Sequence, residues 1–224
     1  MFAKDYRQQA WKKLDKKWGV AILSYLVYSL IYSAVSSFTG IGGLILGGPL
    51  VIGYIAIILT IVRGGDAKIE QIFDNFSGRF VSNMALFVLQ YLYTFLWTML
   101  FIIPGIVKSY SYAMAYYIQC DNPEMGANEA ITRSREMMDG HKWQLFCLHF
   151  SFFGWILLSV LTCGLLLIMV TPYMNTATAE FYEKLKRDEL IAKGIDPDAT
   201  EATFEEAPVV EEAPAIESAT EETN

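Results

Sequence analysis

The sequence predicts an all-α, polytopic membrane protein with about six transmembrane helices arranged as three hairpins. Hydrophobic residues make up 54% of the 224 residues and charged residues only 18%, whereas a soluble domain carries about 25% charged residues. Long apolar segments recur along the chain, and a helix needs about 20 such residues to cross a bilayer. The basic residues cluster between alternate pairs of these segments, as expected when both termini lie in the cytoplasm.

Six apolar segments are candidates for spans. They lie at residues 19–39, 42–62, 80–103, 104–119, 143–161 and 165–183. The fourth segment is short, since sixteen residues of helix reach only about 24 Å. It therefore either completes a hairpin or forms part of a re-entrant loop.

The distribution of lysine and arginine sets the expected orientation. With the N-terminus inside, sixteen of the seventeen basic residues fall in cytoplasmic segments, and Lys108 alone falls on the outer side. This asymmetry follows the positive-inside rule. We therefore expect a multi-pass protein of a bacterial inner membrane with both termini in the cytoplasm.

The cytoplasmic segments predict amphipathic helices that lie at the membrane interface. Tyr6, Trp11 and Leu14 recur at mostly helical spacing among lysines, and a second stripe follows Asp66, a candidate N-cap. A third helix is expected after the cap Asn122, with Pro123 at its first position and Gly140 at its end.

One pattern thus occurs three times: an amphipathic helix, a long span, a tight turn and a second span with a proline. The prolines are Pro49, Pro104 and Pro172, and Gly105 follows the second of them. Proline-broken spans at matching positions of internal repeats are typical of transporter sites. Prolines shortly after a turn are also ordinary helix starts, and both interpretations remain open.

The chain divides into a membrane domain, residues 1–187, and an acidic tail, residues 188–224. The formal net charge is −7, but the tail holds twelve acidic residues and one basic residue. The remainder has 17 − 1 = 16 basic and 24 − 12 = 12 acidic residues, a net charge of +4. We expect a disordered cytoplasmic tail and a basic body that contacts anionic lipid headgroups rather than nucleic acid.

Candidate binding residues lie on the second spans. Lys108 either snorkels to the interface or faces a polar cavity and binds an anionic group. Its polar neighbours are Ser109, Ser111 and Tyr112. Asn175 and Thr176 in the sixth segment either line a polar path or bond neighbouring helices.

The sequence contains none of the common catalytic motifs, such as HExxH, GxSxG or a P-loop. Cys147 and His149 stand two residues apart, so a helix points them to different faces. No metal site, no cofactor and no enzymatic activity are therefore expected.

The second half of the chain resembles the bacterial integral membrane family of unknown function numbered 975. The resemblance rests on the run IIPGIVKSYSYAMAYYIQCDNPEMGANEAITRSREMMDGHKW and on VTPYMNTATAEFYEKLKR. It covers residues 1–187 and is strongest over 103–187. More distantly, the chain is similar to membrane domains of some glycerophosphodiester phosphodiesterases. The resemblance implies a six-span inner-membrane protein and implies no activity.

Three functions compete on this basis. The first is a non-enzymatic component that organises or assists other parts of the envelope, with membrane lipids and a membrane protein as partners. The alternative is a transporter of small solutes or lipid-like molecules whose path is lined by the three second spans. The third is an intramembrane enzyme, for which His149 with Cys147 or Glu180 would have to serve.

Overall fold

The computed structural model describes residues 3–39, 42–74, 76, 79–162 and 164–194. These residues belong to two compact units, Met1–Leu185 and Lys186–Asn224. The helices run in chain order as α1 (Ala3–Leu14), α2 (Trp18–Thr39), α3 (Gly42–Val62), α4 (Gln71–Asp74), α5 (Phe80–Leu100), α6 (Ile102–Tyr112), α7 (Ala115–Asp121), α8 (Ala127–Met137), α9 (Lys142–Phe150), α10 (Phe153–Leu161) and α11 (Leu167–Ala192).

The all-α prediction is confirmed for the described residues, which contain no strand. Four stretches are long and apolar enough to cross a membrane: Trp18–Ser37, Gly42–Val62, Phe80–Leu100 and Lys142–Leu161. The predicted segments at 104–119 and 165–183 are not among these four, so six spans remain a prediction.

Long helices that follow one another in the chain pack as antiparallel pairs. In the α2–α3 pair, Ser36 lies beside Gly43 and Tyr28 stacks on Tyr54 at 5.4 Å. The α5–α6 pair brings Thr98 against Gly105. We call α2, α5 and α9–α10 the first arms, and α3, α6–α7 and α11 the second arms.

The third pair joins α9–α10 to α11. Phe152 packs edge-on against Tyr173 with ring centroids 5.0 Å apart, and His149 lies 3.1 Å from the hydroxyl of Thr178. Residue numbers rise on one helix as they fall on the other, so this pair is antiparallel as well.

Two of the predicted spans are broken helices. The segment 104–119 divides into α6 and α7 at a turn over Ala113 and Met114, and the segment 143–161 divides into α9 and α10 at Ser151 and Phe152. At the first break, the N–H of Met114 is bonded by a side chain of another helix, the hydroxyl of Ser134. This hydrogen bond from another helix satisfies the N–H of Met114, which the helix break leaves without a bond in its own helix.

Glycines in α3 let neighbouring backbone approach closely. A Cβ at Gly48 would collide with the carbonyl of Asn83 in α5, and a Cβ at Gly53 would collide with the backbone of Ile72 in α4. Gly47 meets the ring of Phe87 in the same way. Small residues therefore allow α3 to be the most buried of the long helices.

We call the predicted amphipathic helices α1, α4 and α8 the short helices. Their apolar stripes pack against the protein, which corrects the expectation that these stripes face the membrane. Tyr6, Ala10 and Leu14 of α1 are buried, as are Ile72 of α4 and Ile131 of α8. The apolar stripes were recognised from the sequence, but their periodicity alone does not distinguish a protein partner from a lipid surface.

Each short helix packs on the hairpin that precedes it. Ile72 of α4 shares a buried cluster with Ala21 of α2 and Ile57 of α3. Ser134 of α8 bonds the backbone of the α6–α7 arm.

Helix α1 has no helix pair before it and contacts both the first pair, where Leu14 joins the buried cluster of α2, α3 and α4, and the last pair. The hydroxyl of Tyr173 in α11 donates to the carbonyl of Arg7 at 2.9 Å, Arg7 donates to the carbonyl of Ser151 at 3.4 Å, and Tyr6 packs on Phe181. Helix α1 thus connects the first and the last helix pairs of the described residues.

The predicted helix caps need correction at two places. Helix α4 begins at Gln71, so Asp66 does not cap it. Helix α8 begins after Gly126, and Asn122 instead follows the end of α7, where its side-chain amide donates to the carbonyl of Ile118 at 3.2 Å. Pro123 lies in the intervening turn, and Gly140 has a φ of +77° beyond α8. A left-handed residue of this kind ends a helix.

Exposed large apolar side chains are concentrated on the arms and near their turns. The most exposed are Leu30, Met99, Ile102, Ile103, Trp143, Val160, Leu161 and Leu165. An apolar surface of this extent is typical of a protein that faces lipid. Residues 188–192, predicted to begin the tail, belong to α11, and the tail beyond residue 194 lies outside the described residues.

Candidate functional site: a cationic cleft between α5, α6 and α8

A cleft of about 240 Å³ lies between α5, α6 and α8. Its lining residues are Tyr93, Trp97, Lys108, Tyr112, Asn128, Ile131, Thr132 and Arg135. The two cations come from different helices, Lys108 from α6 and Arg135 from α8. The other polar groups are hydroxyls and one amide, so the lining combines positive charge with neutral hydrogen-bonding groups.

No carboxylate lines this cleft, and within the described part of the chain neither cation is in an ion pair. The ammonium of Lys108 lies 4.8 Å from the ring centroid of Trp97, a cation–π contact that holds the side chain over the indole. The hydroxyl of Tyr93 donates to the amide oxygen of Asn128 at 3.4 Å. A positively charged cleft without its own counter-charge is suited to an anion.

The buried side chain of Ser134 bonds α8 to the break between α6 and α7. The hydroxyl of Ser134 accepts the N–H of Met114 at 3.2 Å and donates to the carbonyl of Ser111 at 2.9 Å. Arg135 follows Ser134 directly and therefore stands beside α6. The break between α6 and α7 thus fixes the position of the second cation of the cleft.

Of the predicted polar group around Lys108, Tyr112 lines the cleft and the two serines do not. Ser109 donates to the carbonyl of Ile106 at 2.8 Å, and Ser111 donates to the carbonyl of Val107 at 3.0 Å. Both hydroxyls are therefore used within their own helix, as serine commonly is in helices.

The distribution of basic residues predicts Lys108 on the outer side and Arg135 on the cytoplasmic side. Both side chains line one cleft, because α8 packs alongside α6 at Ser111. The orientation of the chain relative to a membrane stays a prediction.

The second arms meet through Asn175, Tyr54 and their neighbours. The amide of Asn175 donates to the hydroxyl of Tyr54 at 3.3 Å, which joins α11 to α3. Thr176 donates to the carbonyl of Pro172 in its own helix at 2.8 Å. Tyr54 is 4% exposed, and Thr176 is buried as well. The junction of α3 and α11 is thus filled by packed side chains.

A charged cluster joins all three second arms at their far ends. Arg63, after α3, pairs with Asp121 of α7 at 2.6 Å and with Glu183 of α11 at 2.7 Å. Tyr182 donates to Asp121 at 2.9 Å. Burial alone would lower the pKa of Arg63, but Asp121 and then Glu183 outweigh it and raise that pKa above its ordinary value. The guanidinium of Arg63 therefore stays charged, and its ion pairs with Asp121 and Glu183 connect the three arms.

Cys147 and His149 do not form a metal-binding group with further ligands. Within the described residues, no group of three or more histidine, cysteine or acidic side chains could hold a metal ion. His149 pairs with Thr178 and packs against Tyr110. Cys163 lies outside the described residues.

Sequence reasoning found Lys108 and Tyr112 and missed Tyr93, Trp97 and Arg135. A signal was present, because Trp97 and Lys108 are symmetric about the α5–α6 turn and an antiparallel pair brings such residues together. No comparable signal exists for Arg135, since its position depends on how α8 packs.

The described residues form an all-helical protein with four helical stretches long and apolar enough to cross a membrane. Residues 99–189 match the family described as "Protein of unknown function (DUF975)". This match confirms the resemblance over residues 99–189. The matched segment includes α6, α7 and α8, which contribute Lys108 and Arg135 to the cleft. No curated protein matches the chain, and no solved structure matches it.

Proposed function

We propose that this protein is a non-enzymatic, six-span component of a bacterial inner membrane that organises or assists other parts of the envelope. In this proposal both termini are cytoplasmic, and its partners are anionic lipids and a membrane protein. The packing of α1, α4 and α8 carries the proposal. Because each repeat packs on the next, and α1 packs on α11, the packed helices leave a large apolar surface for lipid.

The two helices missing from the four candidate spans are accommodated in this proposal. Helix α7 and the middle of α11 pack inside the protein and so need less apolar surface than the first arms, whereas Ile102 and Ile103 at the start of α6 are exposed. Ala177 and Phe181 of α11 are buried, and so are its polar residues Thr176 and Thr178, as a membrane interior requires.

The transporter alternative is less well supported by the same contacts. Alternating access requires one group of helices to move against another around the site. The link from Asn175 to Tyr54 and the pairs of Arg63 tie the second arms together at two levels. If a path nevertheless runs between them, Asn175→Ala and Lys108→Ala should abolish transport of a compound at unchanged protein levels.

Purification from the native membrane in a mild detergent, followed by native mass spectrometry, tests the proposal. We expect a stoichiometric protein partner or enriched anionic lipid to remain bound. A preparation with neither, from membranes in which the protein is correctly inserted, would contradict the organising role.

A further inference from the structure

We propose that the cleft between α5, α6 and α8 binds a phosphate group, and that the phosphate belongs to the headgroup of an anionic lipid. This inference rests on the proposed membrane location and adds a specific ligand site to it. Its ligand chemistry follows from the lining residues, taken in three steps.

The first step is charge. Lys108 and Arg135 present two positive charges to one cleft of about 240 Å³, and no acidic side chain lines it. The planar guanidinium of arginine matches two phosphate oxygens at once, whereas a lysine ammonium acts as a point charge. An ordinary carboxylate partner is missing from the described surroundings of both side chains, so the site calls for an external anion.

The second step is hydrogen bonding. Tyr112 supplies a hydroxyl group and Asn128 supplies an amide. The hydroxyl of Thr132 donates to the carbonyl of Asn128 in its own helix at 2.9 Å and is not counted as a donor to the ligand. Since the oxygen of the Asn128 amide accepts from Tyr93, its nitrogen is oriented as a donor. A phosphate has several acceptor oxygens, so it can use two charged donors and these neutral donors together.

The third step identifies the source of the phosphate. Trp97 lines the cleft and is partly exposed, and Leu96 and Leu100 beside it on α5 are exposed as well. Acyl chains can lie along this apolar surface while the phosphate enters the cleft. Cations beside lipid-facing helices are costly unless they are paired or hydrated, and a lipid phosphate would supply the counter-charge.

The test uses the full-length protein in nanodiscs of phosphatidylcholine with and without phosphatidylglycerol. Bound lipid is counted by native mass spectrometry after release into detergent. The variants are Lys108→Gln and Arg135→Gln, and the matched control is Arg133→Gln. Arg133 lies on the same helix, loses the same charge, and pairs with Glu136 instead of lining the cleft.

We expect wild type and Arg133→Gln to retain phosphatidylglycerol selectively. Lys108→Gln and Arg135→Gln should each weaken retention by about tenfold or more, the usual effect of losing a hydrogen bond to a charged group. Equal retention by all four proteins would overturn the proposal. Arg135 is exposed, so its replacement should not prevent folding.

A second experiment distinguishes the two possible sources of the phosphate. Inorganic phosphate is titrated into lipid-free protein in detergent and followed by calorimetry. Binding that is lost in Arg135→Gln, without selective retention of phosphatidylglycerol, would keep the phosphate site and overturn the lipid source. If the protein were not inserted in membranes at all, the proposed function would fail before this test, so the two failures are distinguishable.

Discussion

Arg63 and Asp121 form an ion pair of 2.6 Å between the ends of α3 and α7. The carboxylate is the buried partner, with 9% of its side chain exposed, whereas the Arg63 side chain is 43% exposed. The same guanidinium reaches Glu183 of α11. One side chain therefore connects all three second arms, and its removal should weaken the contacts between them.

We predict that Arg63→Gln lowers the stability of the protein in detergent by about 1–2 kcal/mol. This is less than the loss of a fully buried pair because water screens the guanidinium. The apparent melting temperature measures the effect. Arg79→Gln is the matched control, since its partner Glu124 is 90% exposed and the pair should contribute little. Equal melting temperatures for the two variants would contradict the role of Arg63.

Ser134→Ala should destabilise the protein by about 1–3 kcal/mol, because the N–H of Met114 and the carbonyl of Ser111 lose a buried partner. Ser109→Ala serves as the control, since its hydroxyl bonds only its own helix. Thermal unfolding in one detergent compares the two. If Ser109→Ala cost as much as Ser134→Ala, the hydroxyl of Ser134 would not be what holds α8 against the helix break.

Gly48→Ala should be destabilising by about 1–3 kcal/mol, since the new methyl group meets the backbone of Asn83 and not a movable side chain. Gly19→Ala in α2 has open space around its Cβ. It should be neutral or stabilising by up to about 1 kcal/mol, from helix propensity. Thermal unfolding of both variants shows whether α3 and α5 are in close contact. A neutral Gly48→Ala would mean that they are not.

Tyr173→Phe removes the hydrogen bond that joins α11 to α1. We expect faster hydrogen exchange at the amides of α1, with a local loss of about 0.5–1.5 kcal/mol, while exchange in α3 is unchanged. Tyr91→Phe is the control, because Tyr91 is exposed on the outer surface of α5. Unchanged exchange in α1 would show that this bond does not hold α1 against α11.

The sequence was sufficient to predict the helical class and the long apolar helices. These follow from segment length and periodicity, which are local properties. The partners of the short helices could not be predicted, because Tyr6 and Leu14 would be equally apolar against lipid or protein. Arg135 could not be predicted as a site residue, because its position depends on the hydrogen bond from Ser134 to Ser111, more than twenty positions away in the chain.

The caps were wrong for a related reason. Asn122 and Pro123 form a valid start signal for a helix, but the chain uses Asn122 to end α7. The tight approach of Ile72 to Gly53 positions α4, and its start follows from that contact and not from Asp66. Local signals of capping are overridden where tertiary packing fixes a short helix.

We propose that three hairpins cross the membrane with their turns on the outer side. Cysteine labelling in a cysteine-free variant tests it with an impermeant maleimide on intact and permeabilised cells. The outer positions are tested by Ser37→Cys, Ile103→Cys and Leu165→Cys, and the cytoplasmic positions by Lys13→Cys, Asp66→Cys and Asp139→Cys.

We expect the three outer cysteines to react on intact cells and the three cytoplasmic cysteines to react only after permeabilisation. The cysteine at position 103 is the most informative, since it lies at the turn of the α5–α6 pair, whose second arm is broken. Failure of that cysteine to react from the outside, while positions 37 and 165 react, would make the α5–α6 pair a re-entrant hairpin and contradict six spans.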